Sequence, residues 1–413
     1  MSQATEQVRS EPDRSPADRR ITPPADRVIR VWLLTNAPSP YQSELFSAIA
    51  DRSDIDLEVR FQQPGSPAGQ AATRRYASRV MCSISPSFFP EEFQLHPRAV
   101  WECAGGRSDC YVLSGIYTNI TFLLCATVLT LRRIPWVVWF ERPHPGARAG
   151  ASWSPRWAKS APVRWLRNVV LFCIFRCVHR MICIGTAARE EYAARGLPLD
   201  RLDVLPYCCD IQRYAHAETA SVETVRTRLG FAGKTIFLFS GQMTARKGVD
   251  TLLAAFHKVV ADHPNAALLL LGDGPCRADY EASITAPLRA CVHFAGHVPQ
   301  AELPGYFLAA DVFVFPSRHD GWGVVINEAC AAGLPILTTH QTGAARDLVE
   351  HGRSGFVMEC DDVESFAAAM RHMLDHPDVR RVFGRRSHEL VEQFSPEKGA
   401  ERFRRAVAAA CHA

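Results

Sequence analysis

From about residue 28 onward the chain repeats one pattern, a short apolar run followed by a longer stretch of helical periodicity. Apolar runs with little polar alternation mark parallel strands buried on both faces. In the first half such runs fall at 29–35, 57–61, 110–114, 136–140, 180–184 and 202–205. In the second they fall at 235–240, 267–271, 292–295, 311–316, 335–339 and 356–359. The helical stretches between them predict βαβ crossovers, so the fold class is α/β and each half reads as a doubly wound sheet.

A polar stretch near 210–233 marks the boundary between the halves. The pattern predicts a tail over 1–27, a Rossmann-like domain over 28–212, a second over 213–394, and a closing helix over 395–413 that has the option of returning to the first domain. That helix opens Ser395-Pro396-Glu397, a cap followed by proline at the first helical position. Two such domains face each other across a cleft, and ligands bind beyond the C-terminal ends of the strands.

Composition narrows the class. The chain has 413 residues, 47% hydrophobic and 22% charged, which suits a globular protein with cores of its own. The net charge of +4 gives no argument for nucleic acid. Residues 1–27 hold ten charged residues, four prolines and no aromatic, too little apolar surface to offset ordering entropy, so this tail is predicted to be disordered. It does not read as a signal peptide, and no apolar run is long enough to span a bilayer. The predicted location is cytoplasmic. The fourteen cysteines include no CxxC pair and no common zinc spacing. Those in apolar runs, such as Cys173, Cys183 and Cys330, read as reduced, buried thiols.

One block changes the picture. Residues 142–189 carry nine Lys or Arg and no Asp or Glu. With Trp153, Trp157 and Trp165 nearby, the block suits contact with an anionic membrane surface at its inner face. A helix buried against the sheet with a basic rim fits the same residues.

Two segments carry candidate chemistry. In TIFLFSGQMTARKG (235–248) a buried strand runs into a loop with Arg246 and Lys247, just before a helix. Adjacent cations there can clamp a diphosphate, by charge-assisted hydrogen bonds and the helix dipole. A solvated basic turn is the plain alternative. In ADVFVFPSRHDGWGVVINEACAAGLPIL (310–337), Asp320 and Glu328 flank the turn Gly321-Trp322-Gly323. The glycines allow close backbone approach to a ligand. Glu328 lies in an otherwise apolar stretch, where a carboxylate is costly without a partner or ligand. It can grip a vicinal diol such as ribose, with Asp320 holding sugar hydroxyls beside it.

These segments resemble the retaining glycosyltransferases of family 4, which have the GT-B fold of two Rossmann-like domains. The resemblance spans about 28–410 and is densest over 235–358, through GQMTARKGVDTLLAAF, LLLLGDGP, VHFAGHVP and TGAARDLVEHGRSGFV. It implies a nucleotide-sugar donor (a UDP-, GDP- or ADP-sugar), a hydroxyl acceptor, no cofactor and no metal. It implies that Lys247 and Arg246 bind the diphosphate, Glu328 the ribose, Asp320 the donor sugar, and the backbone at His297 and Val298 the base.

Three single residues and one loop depart from the family pattern. Gln242 stands where an Arg is usual, and Asp320 where a Glu is usual. Ser39, Pro40 and Tyr41 occupy a loop that is often glycine-rich and lies on the acceptor side. Glu141, in PWVVWFER (135–142), stands where many relatives have a His near the reacting carbon. A carboxylate there can stabilise positive charge at the anomeric centre; a salt bridge with Arg142 is the structural alternative, and His144 a possible substitute. Two rivals stay open: another enzyme of the same fold, such as an epimerase, and a non-catalytic sugar-nucleotide-binding protein.

Overall fold

The computed structural model describes residues 28–65, 75–83, 95–115, 119–142, 161–215, 219–285 and 288–412. The predicted disordered tail and the segment holding His144, Trp153 and Trp157 lie outside the described residues.

Strands β1 (Ile29–Thr35), β2 (Ile55–Phe61), β3 (Ala77–Val80), β4 (Cys110–Ser114), β5 (Trp136–Phe140), β6 (Arg180–Cys183) and β7 (Leu202–Val204) form one parallel sheet in the order β3-β2-β1-β4-β5-β6-β7. Strands β8 (Thr235–Ser240), β9 (Ala266–Leu271), β10 (Val292–Gly296), β11 (Val312–Phe315), β12 (Ile336–Thr339) and β13 (Gly355–Met358) form a second, in the order β10-β9-β8-β11-β12-β13. Each is a doubly wound sheet, and together they make the GT-B architecture. Successive strand residues face opposite ways. In β1, Val31 and Leu33 enter one apolar core while Trp32 and Leu34 enter another, on the opposite face. Burial on both faces is why strands such as β4 and β5 read as unbroken apolar runs.

Strand β3 has no such signal. All four of its residues are exposed, because it lies at the sheet edge. Cys183 and Cys330 are buried, but Cys173 is exposed, which corrects the expectation for that thiol. It sits on the helix Ala161–Cys177, whose Ile174 enters the core while Phe172 and Cys173 face outward. Among the described residues no helix is long and apolar enough to cross a membrane.

The helix Pro396–Cys411 starts at Ser395, whose side chain accepts from the Lys398 N–H. It packs on the first sheet. The rings of Phe403 and Trp139 lie 5.8 Å apart, and Arg404 Nε donates to Asp54 Oδ2 at 2.9 Å. The chain therefore passes twice between the sheets, and the two passages touch where the Cys209 N–H donates to the Phe394 carbonyl at 3.3 Å.

A second set of contacts joins the domains. The Thr186 hydroxyl donates to Asp347 Oδ1 at 2.5 Å and its N–H to Oδ2 at 2.9 Å. Arg346 pairs with Glu190 at 3.0 Å.

Candidate active site

The order of each sheet reverses beside its first strand, between β1 and β4 and between β8 and β11. Such reversals open a crevice at the strands' C-terminal ends. The residues after β1, β5, β8 and β11 meet there around a cavity of about 260 Å³. Its wall includes Tyr41, Glu141, Lys247, Asp320 and Glu328.

Lys247 is fixed by the turn that follows it. Gly248 has φ of 69°, and a Cβ there would lie 2.2 Å from the Pro316 carbonyl oxygen. The Lys247 ammonium rests 4.6 Å from the Phe315 ring centre and 2.5 Å from Asp320 Oδ2. Lysine and aspartate side chains retain only 12% and 15% of their exposure. Arg246 reaches the same carboxylate at 3.4 Å and donates to the His319 carbonyl at 2.6 Å. Burial acts to raise the Asp320 pKa, but Lys247 and Arg246 outweigh it and hold the group below its usual range. At Lys247 burial comes first and lowers the pKa, aided by Arg246 and opposed by Asp320.

Glu141 follows β5 and stands beside this pair at the cavity wall, still open to the cleft. The salt bridge considered for it with Arg142 does not form, because the two side chains leave the strand end in different directions. Arg142 Nε instead meets Glu191 at 3.2 Å. Glu141 Oε1 accepts from the Tyr207 hydroxyl at 2.8 Å. Its other oxygen lies against Gly321, where a Cβ would come within 2.3 Å of Oε2. Burial raises the Glu141 pKa; Tyr207 opposes this, Asp320 adds to it, and Arg246 and Lys247 oppose it.

Tyr41 and Glu328 are shared with a second cavity, of about 370 Å³. Here the walls are Pro40, Tyr214, His297, Val298 and Leu303, with the Glu44–Arg213 ion pair (2.5 Å) at one side. Glu328 lies in the short helix Val325–Ala331. Burial pushes its carboxyl up to about 7, against a hydrogen bond from Tyr214. So Glu328 is half-buried, forms no ion pair among the described residues, and faces both cavities.

Other expected residues are placed differently. Trp322 is a core residue: its ring packs 6.1 Å from Phe394, and its Nε1 donates to Asn327 Oδ1 at 2.8 Å. Its N–H points to Asp320 Oδ1 at 3.4 Å, so only its backbone borders the cleft in the way expected of the turn. Gly323 adopts φ of 88° and lines the cavity, and Gly321 supports Glu141. Gln242 is exposed and borders neither cavity. Ser39 caps the helix Pro40–Ala50 without a side-chain bond to its backbone and donates to Gln42 instead. Sequence reasoning missed Tyr207, Tyr214, Arg213 and Glu44. For the first three the signal was faint, a Tyr-Cys-Cys-Asp stretch leaving a strand within an apparent linker, and Glu44 lies apart, in the helix Pro40–Ala50. No group of three or more His, Cys, Asp or Glu among the described residues is placed to hold a metal ion.

Residues 221–390 match the family described as Glycosyl transferases group 1. The match lies within the second of the two domains. It is 29% identical over 220 residues to the GDP-mannose-dependent alpha-(1-6)-phosphatidylinositol monomannoside mannosyltransferase of Mycobacterium tuberculosis, covering 50% of this chain and 56% of the relative. It is 30% identical over 207 residues to the mannosylfructose-phosphate synthase of Agrobacterium fabrum, covering 48% and 44%. The chain thus spans about half the length of the curated relatives it matches. The fold is similar over nearly the whole chain to that of HepE from Anabaena, solved in complex with UDP. The TM-score is 0.74 at 17% identity, covering 92% of this chain and 100% of HepE.

Proposed function

We propose that the chain is a retaining glycosyltransferase that moves a sugar from a nucleoside-diphosphate donor to a hydroxyl acceptor. The observation that carries this reading is the pair of adjoining cavities sharing Tyr41 and Glu328, one with cations and carboxylates, the other with apolar walls. A nucleoside diphosphate sugar has the same division of chemistry along its length.

The base would enter the larger cavity, against Val298 and the backbone at His297. Glu328, desolvated, would accept from the ribose hydroxyls, which repay its burial. Lys247 and Arg246 would neutralise the diphosphate as it leaves, so the reading calls for no metal. Asp320 would hold sugar hydroxyls next to its lysine. Glu141 would stand beside the anomeric carbon and stabilise its developing positive charge. The acceptor would approach past Ser39, Pro40 and Tyr41, and its proton would pass to the departing phosphate on the same face.

The names of the relatives and the HepE complex point to GDP- and UDP-sugars as the first donors to test, with ADP-sugars beside them. Thermal denaturation with each nucleotide is the first measurement. A ligand at 100 times its Kd adds about 2.7 kcal/mol of stability. No shift with any nucleotide would overturn the donor site. Binding without sugar transfer to any hydroxyl acceptor would favour a binding protein instead.

We also propose a cytoplasmic enzyme that docks on the inner face of an anionic membrane. The helices Pro97–Gly105, Ile120–Leu131 and Ala161–Cys177 cover the same face of the first sheet. On them Trp101, Leu131, Trp165 and Phe172 are 60–78% exposed. Such residues, rimmed by Arg98, Arg132 and Arg176, suit an interfacial surface. Co-sedimentation with phosphatidylglycerol vesicles but not phosphatidylcholine vesicles is expected, and equal recovery with both would count against it.

A further inference from the structure

Tyr207 belongs to none of the donor-binding segments. It lies just after β7, where the chain leaves the first sheet, and it is 8% exposed. Its hydroxyl donates to Glu141 Oε1 at 2.8 Å, and its ring centre lies 4.6 Å from that of Tyr41. Its carbonyl accepts from Asn327 Nδ2 at 2.9 Å, and Asn327 Oδ1 accepts from Trp322 Nε1 at 2.8 Å. Asn327 is fully buried and directly precedes Glu328. One tyrosine is therefore tied by its side chain to the first domain's carboxylate and by its backbone to the second domain's donor helix.

We infer that Tyr207 is the positioning residue for Glu141. With one oxygen held by Tyr207 and the other packed on Gly321, the carboxylate has a single orientation at the cavity wall. The inference rests on the proposed role of Glu141 beside the anomeric carbon. The charged and titratable groups facing Glu141 are Tyr207, Tyr41, Asp320, Arg246 and Lys247. Asp320 and burial favour its neutral form, while the Tyr207 hydrogen bond and the two cations favour the carboxylate. Tyr207 thus fixes the rotamer of the group it touches and favours its charged form. It need not contact the sugar.

The test is a double-mutant cycle on the full chain, with Tyr207→Phe, Glu141→Gln and both together. The readout is nucleoside diphosphate release from whichever of UDP-glucose, UDP-N-acetylglucosamine and GDP-mannose turns over fastest. Tyr207→Phe is expected to lower kcat by about tenfold, the worth of a hydrogen bond to a charged group. The donor KM stays unchanged, and the acid limb of the kcat profile moves to higher pH as the carboxylate loses its donor. The double variant is no slower than Glu141→Gln. Multiplicative losses, an effect on KM alone, or an unmoved acid limb would overturn the inference. If none of the three donors turns over, the infrared carboxyl band of Glu141 in the UDP complex, identified by its absence in Glu141→Gln, takes their place. It is expected to shift toward the protonated form in Tyr207→Phe, and an unchanged band overturns the inference. Should Tyr207→Phe fail to fold, 3-fluorotyrosine at 207 keeps the shape and strengthens the donor. The acid limb, or the band, must then move the opposite way. The parent reading fails separately: Glu141→Gln as fast as wild type removes Glu141 from the chemistry, and UDP and GDP both failing to bind removes the donor site.

Discussion

Lys247 and Asp320 form an ion pair, 2.5 Å from Nζ to Oδ2, with both side chains mostly buried in the cleft wall. The cation proposed for the diphosphate is thus also the partner of a carboxylate. Breaking a buried pair by removing one member strands the other, at a cost of about 3–5 kcal/mol. Lys247→Ala should therefore lose stability as well as turnover. Adding Asp320→Asn should restore most of the stability, by urea denaturation, while turnover stays at least about 100-fold down. Full activity in Lys247→Ala would remove it from diphosphate binding.

Glu328 gives a pH-dependent prediction. Its pKa rises from 4.5 to about 7 on folding. The folded state therefore holds the proton more tightly, and stability falls as pH rises from about 4.5 to about 7. The full loss is of the order of 3 kcal/mol. Glu328→Gln should be more stable than wild type at pH 8, and the difference should vanish below pH 4.5. A difference independent of pH would contradict the burial of this carboxylate. If ribose binds the ionised form, nucleotide binding near pH 6 should release a proton, seen by calorimetry in buffers of different ionisation enthalpy.

Gly321 is required by its neighbour more than by its backbone. Gly321→Ala would place a methyl group 2.3 Å from Glu141 Oε2. The carboxylate must turn away, so kcat should fall about tenfold or more while nucleotide affinity holds. Denaturation should show that Glu141→Ala removes the conflict and makes Gly321→Ala nearly neutral for stability.

Thr186→Val deletes the hydroxyl that Asp347 holds across the domain boundary. Asp347 is largely buried, and burial already raises its pKa. A cost of about 1–3 kcal/mol is expected in denaturation. Small-angle scattering should show a wider separation of the domains without ligand. An unchanged profile would assign the contact no part in holding the cleft.

The fold was legible wherever burial on both faces made strands into apolar runs. Strands such as β4, β5, β9 and β11 gave that signal, β2 read through the alternation of its one buried face, and the exposed edge strand β3 gave none. Glu328 stood out because a charge in an apolar segment needs a reason, Lys247 because two adjacent cations before a helix suit a phosphate, and Asp320 because it flanks a turn with two glycines. Their mutual arrangement did not, since Lys247 and Asp320 are 73 positions apart. Glu141 could be singled out, but not its partner: Arg142 is adjacent in sequence, whereas Tyr207 is 66 positions away and reached through the sheet. Trp322 read as a ligand contact because a turn between two glycines suggests exposure. The structure folds its ring inward against Gly185, where a Cβ would lie 2.3 Å from it.

The helix Pro396–Cys411 inverts the order in which the two halves can be finished. Its Phe403 is fully buried beneath the first sheet. Strands β8–β13, by contrast, lie in one continuous segment, Thr235–Met358. During synthesis the second sheet can close while the first still lacks a wall of its core. Domains emerging from the ribosome ordinarily fold in sequence order. Here the half made first must wait, with apolar surface uncovered, until residues as far as 411 have been made.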